Sequence, residues 1–159
     1  MLYDNVMVPY DGSPSATAAL AEAVRFAKED PGLTLHIVQI MDTEKLVIEK
    51  LEASGPVNGA VPDGMREALE EVTAEANGRL HGQVDGMLAG LMNKVVVELL
   101  EETHPGSQIV SYAADHDCDL IVMGSRGLGA LRGILGSVSS HVLREAAVPV
   151  LIVKQRAER

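Results

Sequence analysis

Five short aliphatic runs separated by helical patterns constrain this chain more than any other feature. Residues 6–10, 33–41, 94–100, 119–124 and 148–153 read as strands. They are near-continuous in Val, Ile, Leu and Met, as strands are when both faces are covered. Between them, residues 16–28, a long segment from residue 63, residues 107–116 and residues 137–146 carry apolar positions at helical spacing, for example Leu20, Ala23, Val24 and Ala27. Strands alternating with helices imply parallel pairing through right-handed crossovers. The expected fold class is therefore α/β, an open three-layer α/β/α sandwich on a five-stranded parallel sheet. At 159 residues a single domain, 1–159, is expected.

Two segments are less regular. Residues 42–62 read as an insertion-like loop with a short helical piece around residues 46–51, because Gly55, Pro56, Gly59 and Pro62 cluster there. In the long helix that follows, Gly78, Gly82, Gly86 and Gly90 recur every four residues. Each costs about 1 kcal/mol relative to Ala in a helix interior. The expectation is a locally weak helix with its glycine face against the sheet or a partner. On the other helices, Ile109, Val110 and Ala113 are expected to turn inward, as are Val138, Val142 and Leu143.

The stretch from Gly124 to Ser140 joins a buried strand to an amphipathic helix and holds five glycines. Glycine lets a backbone approach an anion closely, and a helix N-terminus offers unpaired N–H groups with a partial positive charge. Such a stretch makes a phosphate cradle. It lies in the only basic part of the chain. Residues 1–123 carry 7 Lys/Arg against 21 Asp/Glu, whereas residues 124–159 carry 6 against 2, with Arg126 and Arg132 inside the loop. The net charge of −10 argues against a general nucleic-acid or anionic-membrane partner, and the 3% aromatic content against base stacking. No apolar segment approaches the length of about 18 residues that suggests a membrane span. The start has no signal-peptide pattern, so a cytoplasmic protein is expected. Cys118, the single cysteine, is expected to be structural. The five histidines show no ligand spacing, and no dedicated metal site is expected.

The loop matches neither the Walker A pattern nor the dinucleotide fingerprint. Gly124-x-x-Gly127, eight residues, then Gly136-Ser137 resembles instead the nucleotide-binding signature of the universal stress protein family. Nearly the whole chain shares the likeness: Val-Pro-Tyr-Asp11-Gly-Ser13 is similar to that family's first-strand motif, residues 117–127 to its fourth-strand motif, and residues 136–143 and 148–154 to its closing helix and strand. The usual signature has nine residues before the Gly-Ser pair, one more than here. The resemblance implies a Rossmann-like fold of the adenine nucleotide alpha hydrolase-like kind and a regulatory protein of the stress response that binds ATP, with Mg2+ carried by the nucleotide. It implies that Pro9, Tyr10 and Asp11 lie at the adenosine, that Ile40 meets the adenine edge through its backbone, and that Met123, Gly124, Arg126 and Gly127 wrap the ribose and phosphates. Gly136, Ser137, Val138 and Ser139 are to present N–H and hydroxyl groups to the phosphates. The residues themselves leave plain capping open for Ser137 and an Asx turn for Asp11. The resemblance also implies a homodimer through strand 148–153, an apolar run expected at a sheet edge.

Three functions compete. The first is the ATP-binding regulator, with hydrolysis slow at most, since neither a nucleophile–base pair nor a Walker-type lysine is legible. The second is a dimeric interaction module that has lost nucleotide binding, to which the shortened loop lends weight. The third, a phospho-acceptor receiver domain, is disfavoured: it needs an acidic cluster after strand one, where only Asp11 stands, and an Asp ending strand three, where Glu101 and Glu102 stand.

Overall fold

The computed structural model describes residues 2–53, 61–127 and 134–155. In chain order the elements are β1 (Asn5–Pro9), α1 (Pro14–Glu29), β2 (Thr34–Met41), α2 (Thr43–Ala53), α3 (Val61–Leu88), β3 (Val95–Glu101), α4 (Pro105–Asp115), β4 (Leu120–Gly124), α5 (Ser137–Glu145) and β5 (Val150–Val153). The strands form one parallel sheet in the order β3-β2-β1-β4-β5. Val6 of β1 sits level with Leu35 of β2 and Leu120 of β4, and Ile121 of β4 with Val150 of β5.

The alternation of side chains splits the core in two. On one face Val6, Val8, Leu35, Ile37 and Val122 pack under α1 and the second half of α3, against Leu20, Ala23, Leu80 and Val84. On the other, Met7, Val38, Ile121 and Met123 pack under α4 and α5, against Ile109, Tyr112 and Val142. The expected three-layer α/β/α sandwich is the one observed. β1 is central because it is apolar on both faces: Val6, Met7 and Val8 are each 0% exposed. The α2–α3 hairpin packs Val47, Ala68, Val72 and Ala76 over Met41 and Leu99.

Three expectations are corrected. Residues 43–53 form a regular helix rather than a short piece inside a loop, capped by the Asp42 carboxylate, which accepts from the Lys45 N–H at 3.1 Å. Of the turn-forming residues in this segment, Gly55, Pro56 and Gly59 lie outside the described residues. The glycine-rich half of α3 is continuous helix to Leu88, and Gly90 follows it at φ +81°. Its glycine face points away from the sheet. Ala68, Val72, Ala76, Leu80 and Val84 form the buried stripe, and the glycines, two residues on, lie about 200° around the helix. A Cβ added to Gly78, Gly82 or Gly86 would meet nothing within 4 Å. Burial of Leu80 and Val84 outweighs the weak local propensity. On α5, Val142 is buried but Leu143, expected inward, is 44% exposed.

One polar cluster sits inside the α4 layer. His36 of β2 is 6% exposed, and its Nδ1 lies 3.1 Å from the Tyr112 hydroxyl. Tyr112 stacks on His116 at 3.8 Å, and the His36 ring meets both edge-on. His36 Nε2 is buried with no partner among the described residues. Burial, reinforced by His116 and Lys94 and partly offset by Glu98, holds the imidazolium below its ordinary pKa. Cys118, close by in the same core cluster, is 3% exposed, and burial pushes its thiol up to about 11, which fits a structural residue.

Gly82→Ala is expected to raise stability by about 1 kcal/mol, read as a higher urea midpoint at unchanged m; a loss would show that the outer face of α3 is covered. The His36 site makes stability fall as pH drops. Above the unfolded-state pKa near 6.5, His36 is neutral in both states. Below it the unfolded chain takes a proton that the folded chain resists, until the lowered folded pKa is passed. Urea midpoints measured from pH 7.5 to 5 should decline, and the decline should be shallower in His36→Gln.

Candidate functional site

The chain order reverses between β1 and β4. From β1 it runs outward one way to β2 and β3, and the other way to β4 and β5. In open α/β sheets, ligands bind at the carboxyl ends of the strands beside such a switch point. Asp11-Gly12-Ser13 leaves the carboxyl end of β1, and Ser125-Arg126-Gly127 leaves that of β4.

The two turns are tied together. Ser13 caps α1 by accepting from the Ala16 N–H at 3.2 Å, and Pro14 occupies the first turn. The Ser15 hydroxyl donates to the Arg126 carbonyl, with the Ser13 hydroxyl 3.4 Å from the same oxygen. Both serines are almost fully buried. Gly124 permits this contact, since a Cβ there would fall 2.5 Å from Ser15 Oγ and 2.8 Å from the Ala16 nitrogen. A third element joins from α5: the Gly136 N–H donates to the Ser125 carbonyl at 2.8 Å. The Ser139 hydroxyl, 3% exposed, lies 3.1 Å and 3.2 Å from the Gly124 and Ser125 carbonyls. The far end of the glycine loop thus docks on the end of β4 although one residue is missing from the usual spacing. Gly129, Arg132 and Gly133 lie outside the described residues.

Above this junction lies a cleft of about 730 Å3, within the range of small-molecule sites. All twelve residues expected at the site line it: Pro9, Tyr10, Asp11, Ile40, Met123, Gly124, Arg126, Gly127, Gly136, Ser137, Val138 and Ser139. The end formed by α5 suits an anion. Its N-cap is Gly136, which has no side chain to satisfy the helix's first N–H groups. Ser137 is therefore the first helical residue, not a cap. The Ser139 hydroxyl proton is engaged by the β4 carbonyls, so Ser139 offers its N–H. Arg126 and Lys45 line the cleft, and neither forms an ion pair among the described residues. Asp11 makes the Asx turn, accepting from the Ser13 N–H at 2.9 Å through Oδ1. Its Oδ2 lies 2.9 Å from where a Cβ on Gly127 would stand, so a side chain at 127 would collide with it.

The other end is set by the ladder. In a parallel sheet the N–H and C=O of one residue point to the same side, and successive residues alternate. The Thr34 N–H reaches the Asp4 carbonyl and the Val38 carbonyl accepts from Tyr10, so even-numbered residues of β2 face β1. Leu35 and Met41 bond the other way, toward β3. Ile40 thus directs its N–H and C=O toward β1 at a level where β1 has already turned away. A donor and an acceptor, side by side, face the cleft.

Lys45, Val38, Ala16, Pro105 and Ile109 also line it and were not anticipated. Lys45 stands in the first turn of α2, just after the carboxyl end of β2, a position that a loop over residues 42–62 does not define. Pro105 and Ile109 open α4 after β3, and only the strand order brings them near.

Among the described residues no helix is long and apolar enough to cross a membrane, and no three His, Cys, Asp or Glu side chains converge to hold a metal. The family model of the universal stress protein family matches residues 2–154. Universal stress protein MJ0531 of Methanocaldococcus jannaschii is 33% identical over 97% of this chain and 84% of its own length. Among solved structures, protein MJ0577 of the same organism aligns at a TM-score of 0.75 and 26% identity, over 99% of this chain and 100% of that one. Two more distant fold neighbours are a universal stress protein in complex with cAMP (TM-score 0.66, 23% identity, 97% and 98% coverage) and one from Archaeoglobus fulgidus in complex with dAMP (0.62, 24%, 97% and 100%).

Proposed function

Because the chain belongs to the universal stress protein family, we propose that it is a cytoplasmic stress-response regulator that binds an adenine nucleotide, ATP foremost, in the cleft at the β1–β4 switch point. The observation that carries this reading is the presence, in one cleft, of two backbone sites that have no partner among the described residues. The Ile40 N–H and C=O match the acceptor and donor on the edge of an adenine ring. The uncapped start of α5 matches a phosphate chain. Fold neighbours described as complexes with cAMP and dAMP lend support at the level of the adenine nucleotide.

In this reading Pro9 and Tyr10 form the floor under the nucleoside, with Val38 and Met123 beside them. Asp11 accepts from the ribose. Gly124, which lets α1 close on the end of β4, and Gly127, which keeps Asp11 unobstructed, wrap the sugar and first phosphate, and Arg126 and the N–H groups of Ser137, Val138 and Ser139 hold the phosphates. Lys45 adds a second cation on the opposite wall. Mg2+ arrives on the nucleotide and keeps much of its water, as that ion does when phosphates supply its ligands. We assign no catalytic residue.

A homodimer through the edge of β5 completes the proposal. Ile121 and Ser125 donate to Pro149 and Val153, so Val150 and Ile152 turn their N–H and C=O outward. Leu151 and Leu143 are exposed beside them, and an unprotected edge of this kind invites pairing.

Labelled ATP should bind saturably in the micromolar range, and at least tenfold more weakly to Gly136→Val. A Cβ at Gly136 meets its nearest atoms at 3.4–3.5 Å and the backbone there is extended, so the variant keeps the fold while crowding the helix mouth. Absence of binding to either protein would leave the nucleotide-free interaction module. For the dimer, Ile152→Pro removes an outward N–H and no bond to β4. The variant is expected to run as a monomer by light scattering, and an unchanged dimer mass would dismiss this edge.

A further inference from the structure

We propose that the free edge of β3 accepts an extended basic segment of a partner protein as a sixth strand. The Leu35 N–H bonds the Lys94 carbonyl at 2.9 Å and the Glu102 N–H bonds the Met41 carbonyl at 3.1 Å. Even-numbered residues of β3 therefore pair with β2. Val95, Val97, Leu99 and Glu101 direct both backbone groups outward, a row of four donors and four acceptors in strand register. No element covers them among the described residues: β3 ends the sheet. α3 stands off from this edge and leaves a groove of about 730 Å3, in which Leu69, Thr73 and Ala74 face Val97 and Leu99. Such a groove receives alternate side chains of an added strand while the ladder supplies main-chain bonds.

Edge strands are usually blunted by Pro, Lys, bulges or short length. β3 runs seven residues, Val-Val-Val-Glu-Leu-Leu-Glu, with none of these within it. β5, at the other edge, has four.

Charge selects the occupant. Glu70 and Glu101 flank the groove on the α3 face, and Glu98 alternates onto the α4 face; no Lys or Arg lines it. Glu101 is oriented by the Thr73 hydroxyl at 3.3 Å and the Thr43 hydroxyl at 3.5 Å. Lys94 precedes the strand, Arg66 is an exposed partner of Glu70 at 3.7 Å, and Lys50 is engaged by Glu71 and Glu75 at 3.0 and 3.1 Å. A second copy pairing through the same edge would set these carboxylates against their equivalents. A segment alternating apolar residues with Lys or Arg sets all its cations on one face of the added strand, toward Glu70 and Glu101 or toward Glu98, and its apolar side chains on the other.

The test uses the full chain and a fluorescent eight-residue peptide of alternating Lys and Val, followed by anisotropy at low salt. Saturable binding is expected. It should weaken at least tenfold for the alternating Glu and Val peptide, and at least tenfold when alternate peptide nitrogens are methylated. Leu99→Pro, which removes an outward N–H and no bond to β2, should also weaken it at least tenfold with the far-UV circular dichroism unchanged. Glu98→Gln combined with Glu101→Gln should weaken it several-fold without touching the ladder. No saturation by about 1 mM, a level at which binding is worth only about 4 kcal/mol, would overturn the proposal. So would equal affinity for the methylated peptide, undiminished binding to Leu99→Pro, or a mass increase showing β3 paired with a second copy.

Discussion

The backbone of Arg126 is where three separate parts of the chain are fastened. Ser13 and Ser15, at the start of α1, place their hydroxyls on its carbonyl. Gly136, at the start of α5, donates to the adjoining Ser125 carbonyl, and Ser139 reaches the Gly124 and Ser125 carbonyls. The arrangement depends on Gly124: with a Cβ there, the first turn of α1 would have to withdraw, and a tight overpacked contact of this kind costs about 1–3 kcal/mol. The serines are buried polar groups, and their burial is tolerated because each hydroxyl has a partner.

This fastening explains why the cleft has chemically different ends. The carbonyls at the end of β4 are consumed by hydroxyls and by the Gly136 N–H, so they present little negative charge to a ligand. Among the described residues the N–H groups at the start of α5 have no capping partner, because their cap is a glycine. The result is net donor character at that end, with Arg126 and Lys45 alongside, in a chain whose remainder is strongly acidic. At the other end the early departure of β1 exposes one residue's worth of β2 ladder. One end follows from where β1 stops, the other from the absence of a capping side chain at Gly136.

The fold was legible because aliphatic runs and helical periodicity are local signals, and because Asp11 and Gly124 both follow strands. The site residues were legible as motifs, and the strand order then explained why motifs more than 100 residues apart line one cleft. What escaped had tertiary causes. Ser15 looks like an ordinary helix residue until Gly124 is seen against it. Lys45, Pro105 and Ile109 enter only through neighbouring strands. The glycine repeat in α3 suggests, from sequence alone, a small face laid against the sheet or a partner, because close packing is a common use of such stripes. The buried stripe at Ala68, Val72, Ala76, Leu80 and Val84 excludes the sheet and puts the glycines on the opposite side of the helix.

The most direct measurement is a 1H–15N correlation spectrum of the full chain titrated with MgATP. The account predicts coincident, saturating shifts at the Ile40 amide and at the amides of Ser137, Val138 and Ser139, two groups far apart in sequence that only a ligand spanning the cleft would move together. Shifts confined to one group, or absent from both while ATP still binds, would contradict it.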